Sequence, residues 1–232
     1  MIPRMLPSFR SACAFAVLAL AVAACASATP TAPSSIPDAA NMQRSPNVSG
    51  RLSWVKEGVD FRKYTSIMIA PVTIYDGADT DWGNTSPADR TEIANHLETA
   101  YSRAIAQNMR VVNRPGANTL LLRMQLVGVE SNLPVASTAS RVIPVGLVAN
   151  LVNQAAGQPG TFTGSVTTAF TLYDSTTNTL LAASVDKKFP QAFNITATFS
   201  TRAAAEAAID QGAAGVGRTL ELLRSGQART GS

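Results

Sequence analysis

The stretch Thr119-Leu-Leu-Leu-Arg-Met-Gln-Leu-Val-Gly-Val-Glu130 decides how this chain folds. Leu120, Leu122, Met124 and Leu126 recur at every second position, with Arg123 and Gln125 between them. Side chains of a β-strand alternate between two faces, so this period of two predicts a long strand with one apolar face. Pro115-Gly116 marks a turn before it, and Met109 to Asn113 a shorter strand before that.

Working outward, Phe162, Val166, Phe170 and Leu172 alternate with Thr163, Ser165, Thr167 and Thr171. Asp174 to Asn178 is a polar turn, and Leu181, Ala183 and Val185 mark the returning strand, which makes a hairpin. Upstream, Leu52 to Lys56 reads as a short strand. Thr65 to Tyr75 is apolar at odd and even positions alike, which predicts a central strand covered on both faces. Pro71 inside it implies a bulge or a strand end. Ser86, Pro87 and Asp89 are a helix start. Ile93, Leu97, Ala100 and Ala104 supply the buried stripe, widened by Tyr101 and Ile105. A last helix is expected from Thr201 to Arg224, with Ala205, Ile209, Gly212, Val216, Leu220 and Leu223 on its apolar side. Val142 to Ala156 is apolar without strict alternation, and its later part suits a helix. These segments predict one α/β domain of the α+β kind over residues 50–225. Its sheet should be mainly antiparallel, with helices packed on it.

The N-terminus reads as an export signal. Arg4 and Arg10 precede an apolar run from Ala12 to Val22, and Val22-Ala23-Ala24-Cys25 looks like a bacterial lipobox. The run is about half the roughly 20 residues that a membrane-spanning helix needs. Cleavage between Ala24 and Cys25 would remove residues 1–24 and leave 208 of the 232. A cut after Ala26-Ser27-Ala28 is the alternative. The chain has two cysteines, and Cys13 lies in the leader, so Cys25 would be the one cysteine of the mature protein. Lipid attached there leaves no thiol for a disulfide, a nucleophile or a metal. Several acyl chains on one cysteine hold a membrane firmly, where one chain alone does not. An aspartate after the cysteine would resemble the inner-membrane retention signal of enteric bacteria. With Ala26 in that place the resemblance points to the outer membrane, facing the periplasm. Residues 25–49 comprise the lipidated cysteine and a stretch rich in Ala, Ser, Pro and Thr. This composition predicts a disordered tether, whose 24 residues would reach roughly 27 Å as a random coil. Residues 226–232 are expected to be a disordered tail.

Two of the 19 basic residues lie in the leader, which leaves 17 against 15 acidic ones. So small and scattered an excess gives no footprint for nucleic acid. His96 is the only histidine, four residues after Glu92 on what should be a solvated helix face. Asp76, Asp79 and Asp81 cluster in one loop, but not at calcium-loop spacing, so they read as loop carboxylates before they read as metal ligands. Gly212-x-x-Gly215-x-Gly217 falls inside a helix, where small residues let the helix approach the sheet, and not in a phosphate loop. No cofactor is expected. Arg123, Gln125, Thr163, Ser165, Thr167 and Thr171 form a candidate docking surface, or else the plain solvent face of the sheet. Segment 142–155 is expected as core, or as the flank of an apolar groove.

The stretches Tyr64-Thr-Ser-Ile-Met-Ile-Ala-Pro-Val72, Arg141-Val-Ile-Pro-Val-Gly-Leu147, Phe162-Thr-Gly-Ser-Val166 and Tyr173-Asp174 through Leu180-Leu-Ala-Ala183, ending at Val185-Asp186, together resemble a family of bacterial lipoproteins. That family is known as domain of unknown function 3313. The likeness covers about residues 50–224. Where the family often has Thr-Gly in the hairpin turn, this chain has Thr177-Asn178, and asparagine tolerates the left-handed conformation. The resemblance implies a lipoprotein and no activity. The chain is therefore expected to be a non-enzymatic lipoprotein anchored in the outer membrane, binding or assembling envelope partners, in an oligomeric state that stays open. The alternative is a periplasmic carrier of an apolar small molecule or lipid, for which a cavity lined by Val145, Val148, Leu151 and Phe170 would speak.

Overall fold

The computed structural model describes residues 30–130, 165–189 and 200–228. In chain order the strands are β1 (Gln43–Arg44), β2 (Arg51–Val55), β3 (Ser66–Ile69) and β4 (Thr73–Ile74), then β5 (Arg110–Val112), β6 (Thr119–Glu130), β7 (Ser165–Asp174) and β8 (Leu180–Lys188). The helices are α1 (Pro87–Ala106), α2 (Thr201–Ala214) and α3 (Val216–Ser225). Among the described residues the strands form one sheet in the order β1-β2-β8-β7-β6-β3-β5, with β4 also paired to β6. From β1 to β6 every pairing is antiparallel, while β3, β4 and β5 join as parallel strands. The expected α/β fold with helices on a largely antiparallel sheet is the fold found.

Local chemistry sets the elements. Ser86 accepts a hydrogen bond from the Asp89 amide at 3.1 Å and donates its own hydroxyl to the Asp89 carboxylate at 2.7 Å, with Pro87 in the first turn. Both ends of that cap are satisfied, so α1 starts where the sequence says it must. The hairpin turn is built on Asp174, whose carboxylate accepts from the amides of Thr176 and Thr177, each at 3.0 Å, and from the Thr176 hydroxyl at 2.7 Å. Tyr64 adds its hydroxyl at 2.8 Å. Asn178 takes the left-handed conformation, φ 52°, as asparagine readily does.

The expected strand from Thr65 to Tyr75 splits at Ala70-Pro71-Val72 into β3 and β4, both on the same edge of β6. The Val72 amide turns away to the Glu98 carboxylate on α1, 3.0 Å distant. This strand is less central than its sequence suggested. The strand β5 has only three residues and pairs β3 alone, so Thr73 and Ile74 stay exposed. The single C-terminal helix expected from Thr201 to Arg224 is likewise two helices. Gly215 bonds back to the Gly212 carbonyl at 3.0 Å and separates α2 from α3.

Two cores result, one on each face of the sheet. Leu120, Leu122, Met124 and Leu126 of β6 point toward the helices, together with Val166 of β7 and Ile93, Leu97 and Ile105 of α1. Val127 is an extra residue in a bulge that shifts the β6–β7 register between Leu126 and Gly128. Past the bulge the phase reverses, so Val129 meets the helices while Val127 faces the other way. On that other face Val127, Ala169, Ala183 and Val185 form a second cluster with Ile36 and Tyr75, edged by Ala32, Ala39, Met42 and Leu52.

This second cluster corrects the expected tether. Residues 30–49 lie on the domain, with a short 3-10 turn at Ala39–Asn41 and β1 paired to β2. The reason is apolar: burying the Ile36 side chain alone is worth about 1.5–3 kcal/mol.

Two outcomes follow from this architecture. A Cβ on Gly128 would lie 2.6 Å from the Asp81 carbonyl oxygen, which accepts the Val129 amide at 3.0 Å. Gly128→Ala should lower unfolding stability by about 1–3 kcal/mol in urea, and an unchanged midpoint would contradict the bulge. The hydrogen bonds from the Thr176 hydroxyl and the Thr177 amide hold the Asp174 carboxyl well below the usual carboxylate range. Its contribution is therefore complete above its unfolded pKa of about 4 and fades as the pH falls through the depressed folded value. Asp174→Asn should flatten the acid side of the stability profile, whereas parallel profiles for the two proteins would refute the assignment.

Candidate functional site

The residues singled out in the sequence are dispersed by the fold. His96 Nε2 lies 2.8 Å from the Asp210 carboxylate and ties α1 to α2 at the surface. Asp79 accepts the Ser34 amide at 3.1 Å and the Tyr75 hydroxyl, so it fastens the N-terminal segment to the domain. Asp81 accepts the Gly83 amide at 2.8 Å, and Asp76 is exposed. Among the described residues no three His, Cys, Asp or Glu side chains converge as a metal group. Gly212 makes room for the Tyr101 hydroxyl, and Gly217 for the Asn108 side chain, so these small residues fit the C-terminal helices against the α1 region and its C-terminal turn.

The six residues of the docking surface do not share one open face. Thr171 is buried, and Ser165 is buried with its hydroxyl on Glu130 at 3.1 Å. Thr167 is half-buried. Gln125 accepts from the Ser35 hydroxyl at 2.8 Å, and Arg123 stacks over the Tyr173 ring at 4.6 Å while donating to Asn178. The N-terminal segment covers part of the face that was read as solvated, where Ser35 meets Gln125 and Ile36 packs with Ala169, while Arg123 stays exposed. Thr163, Ala24, Cys25 and segment 142–155, with Val145, Val148 and Leu151, lie outside the described residues.

What the fold does bring together is a cavity of about 120 Å³ between the sheet and the C-terminal helices. Ile67, Leu122 and Phe170 wall its apolar end, roofed by Val216 and Leu220 of α3. Its other end is polar, and toward the surface it reaches the exposed Asn47. There Arg51 grips Asp186 with two hydrogen bonds, Nε to Oδ1 at 2.5 Å and Nη2 to Oδ2 at 2.9 Å. Nη1 donates to the Thr219 hydroxyl at 3.2 Å. The Asp186 side chain is 1% exposed and that of Arg51 15%.

Electrostatics at this end follow from burial. Desolvation pulls the Arg51 guanidinium down, but the charge and hydrogen bonds of Asp186 outweigh it, so the group sits above its ordinary value. Burial, then the Asp186 charge, push the Tyr101 hydroxyl up, which keeps it a neutral O–H donor. Burial lowers Lys188, with Arg51 repelling it and Asp186 opposing the shift. A second, polar hollow lies between the starts of α1 and α2, lined by Asn84, Thr85, Asp89 and Ser200–Arg202.

Sequence reading missed Arg51, Asp186 and Thr219. One signal existed: Asp186 follows the apolar run from Leu180 to Val185, broken only by Ser184, inside β8. Its partner lies 135 residues away, however, and one sequence offers no means of pairing them.

Asp186→Ala should cost about 3–5 kcal/mol, because it strands a buried guanidinium, whereas the paired replacement Arg51→Met with Asp186→Leu should cost far less. Urea unfolding of the two variants tests this, and a loss below about 1 kcal/mol for Asp186→Ala would contradict the buried pair.

No curated protein matches the chain. Solved structures resemble it at low identity. A PelC dodecamer from Paraburkholderia phytofirmans aligns at 9% identity and TM-score 0.35, covering 70% of this chain and 96% of that one. Protein XCC0632 from Xanthomonas campestris, of family DUF330, aligns at 14% and 0.41, covering 71% and 88%. A putative neuraminyllactose-binding hemagglutinin homolog from Helicobacter pylori aligns at 10% and 0.34, covering 75% and 91%. At these values the likenesses assign neither activity nor partner. A family model does match, over residues 33–216, and so spans the whole described sheet, α1 and α2. The chain belongs to the family described as Protein of unknown function (DUF3313).

Proposed function

We propose that this protein is a non-enzymatic, lipid-anchored component of the bacterial cell envelope, attached through Cys25 to the outer membrane and facing the periplasm, and that its work is binding. The run Val22-Ala23-Ala24-Cys25 after an apolar leader carries this reading. The chain's one histidine is engaged with Asp210, and Cys25 is the one cysteine left after the leader, which supports binding over catalysis.

The folded N-terminal segment alters how such an anchor would act. Five residues from Cys25 to Pro30 span at most about 18 Å, so the domain would be held close to the lipid surface. The segment also occupies the sheet face that an envelope partner was expected to use. The cavity under α3 favours the second reading, a binder of apolar small molecules, because it joins apolar walls to a few convergent polar groups.

Metabolic labelling with palmitate, followed by separation of inner and outer membranes, tests the anchor. The wild-type protein should carry label and band with the outer membrane, and Cys25→Ala should carry none and be lost from the outer membrane. A Cys25→Ala protein that still banded with the outer membrane would overturn the proposal.

A further inference from the structure

We infer that the cavity under α3 holds an apolar monocarboxylate, its chain inserted toward Ile67 and Phe170 and its carboxylate against Arg51 and the Tyr101 hydroxyl. This rests on the small-molecule reading above and adds the charge and orientation of the ligand.

Among the described residues, Arg51 and Tyr101 have unspent hydrogen-bond donors. A guanidinium has five N–H groups. Asp186 takes two and Thr219 one, so two of the five have no hydrogen-bond partner among the described residues. The Tyr101 hydroxyl also donates no hydrogen bond among them, although it lines the same cavity and the residue is 7% exposed. Gly212 leaves this hydroxyl its space, because a Cβ there would collide with the oxygen. Two donors of Arg51 and one of Tyr101, all from residues lining one apolar pocket, match the lone pairs of one carboxylate.

Charge points the same way. Arg51 and Asp186 cancel, but Lys188 stands two residues beyond Asp186 on the same face of β8 and donates to the Ser49 carbonyl at 3.2 Å. Its field reaches both members of the pair. With Lys188 beside the pair, the charged side chains around this end sum to one positive charge, which a monoanion completes and a cation would aggravate.

Direction follows from burial. Ile67 is 1% exposed and Leu122 5%, while Arg51 adjoins the surface turn that contains Asn47. The chain end goes in first and the carboxylate stays near the mouth. A dry apolar cavity of about 150 Å³ accommodates the six carbons of benzene, so about 120 Å³ suits an alkyl tail of roughly five carbons with its carboxylate at the mouth.

Titration of isotope-labelled protein with hexanoate, 1-hexanol and hexylamine, followed by amide NMR shifts, tests the inference. Hexanoate should bind saturably, at least tenfold tighter than hexylamine, with the largest shifts at Tyr101, Gly212 and Thr219. Lys188→Gln should weaken hexanoate several-fold and leave 1-hexanol unchanged. Ala182→Leu, which fills the cavity from β8, should abolish binding in a protein whose spectrum stays folded. Equal affinity for all three probes would overturn the carboxylate inference while leaving the small-molecule reading standing. Absence of saturable shifts with every probe would overturn both, as would hexanoate binding that Ala182→Leu leaves intact.

Discussion

The strands β6, β7 and β8 carry apolar side chains on both faces, and the rest of the structure depends on covering each of them. On one face Leu122, Met124, Leu126 and Val166 need the helices. On the other, Val127, Ala169, Ala183 and Val185 need something too, because water would otherwise meet a contiguous apolar patch. The chain uses residues 32–42 for this, held by Tyr75 and by the hydrogen bonds of Ser34 and Ser35. The bulge at Val127 belongs to the same solution. It lets a single strand present Leu126 to one core, Val127 to the other and Val129 to the first again.

Covering the helix face leaves one imperfection, and the cavity is its consequence. The helices α2 and α3 separate at Gly215, and the α3 side chains Val216 and Leu220 reach the sheet without filling the space over Phe170 and Leu172. Arg51 and Asp186 stand at the open end, on β2 and β8, which pair directly at this position. A buried pair of this kind rarely adds net stability compared with apolar residues of the same shape. Its presence beside spare donors and an apolar cavity is more readily understood as a site than as a brace.

Much of this was legible in the sequence. The course of β6 from Thr119 to Leu126 follows from strict alternation, which the bulge at Val127 then interrupts. The start of α1 follows from Ser86, Pro87 and Asp89, and the hairpin turn from Asp174 and Asn178. What escaped did so for physical reasons. The N-terminal segment has the Ala, Ser, Pro and Thr composition of a linker, and Ile36 and Met42 are too sparse to make a period. The odd positions of β7 carry Ser165, Thr167 and Thr171, which suggest a solvated face, yet Ala169 among them packs in a core with Ile36 of the N-terminal segment, Tyr75 and Val127. The break at Gly215 left the apolar period intact on both sides, and Gly212, Gly215 and Gly217 read as close packing and not as a break. The cavity depends on a contact between residues 51 and 186, and pairing at such a distance is invisible to local patterns.

The central claim is that residues 30–44 are part of the folded domain. Thiol labelling of an Ala169→Cys variant tests it most directly, in one chain that begins at residue 26 and another that begins at residue 50. Neither contains a native cysteine, so the introduced thiol is the only one present. The account predicts slow labelling in the longer chain, where Ala169 is 1% exposed, and rapid labelling in the shorter one. Equal labelling rates in the two chains would contradict it.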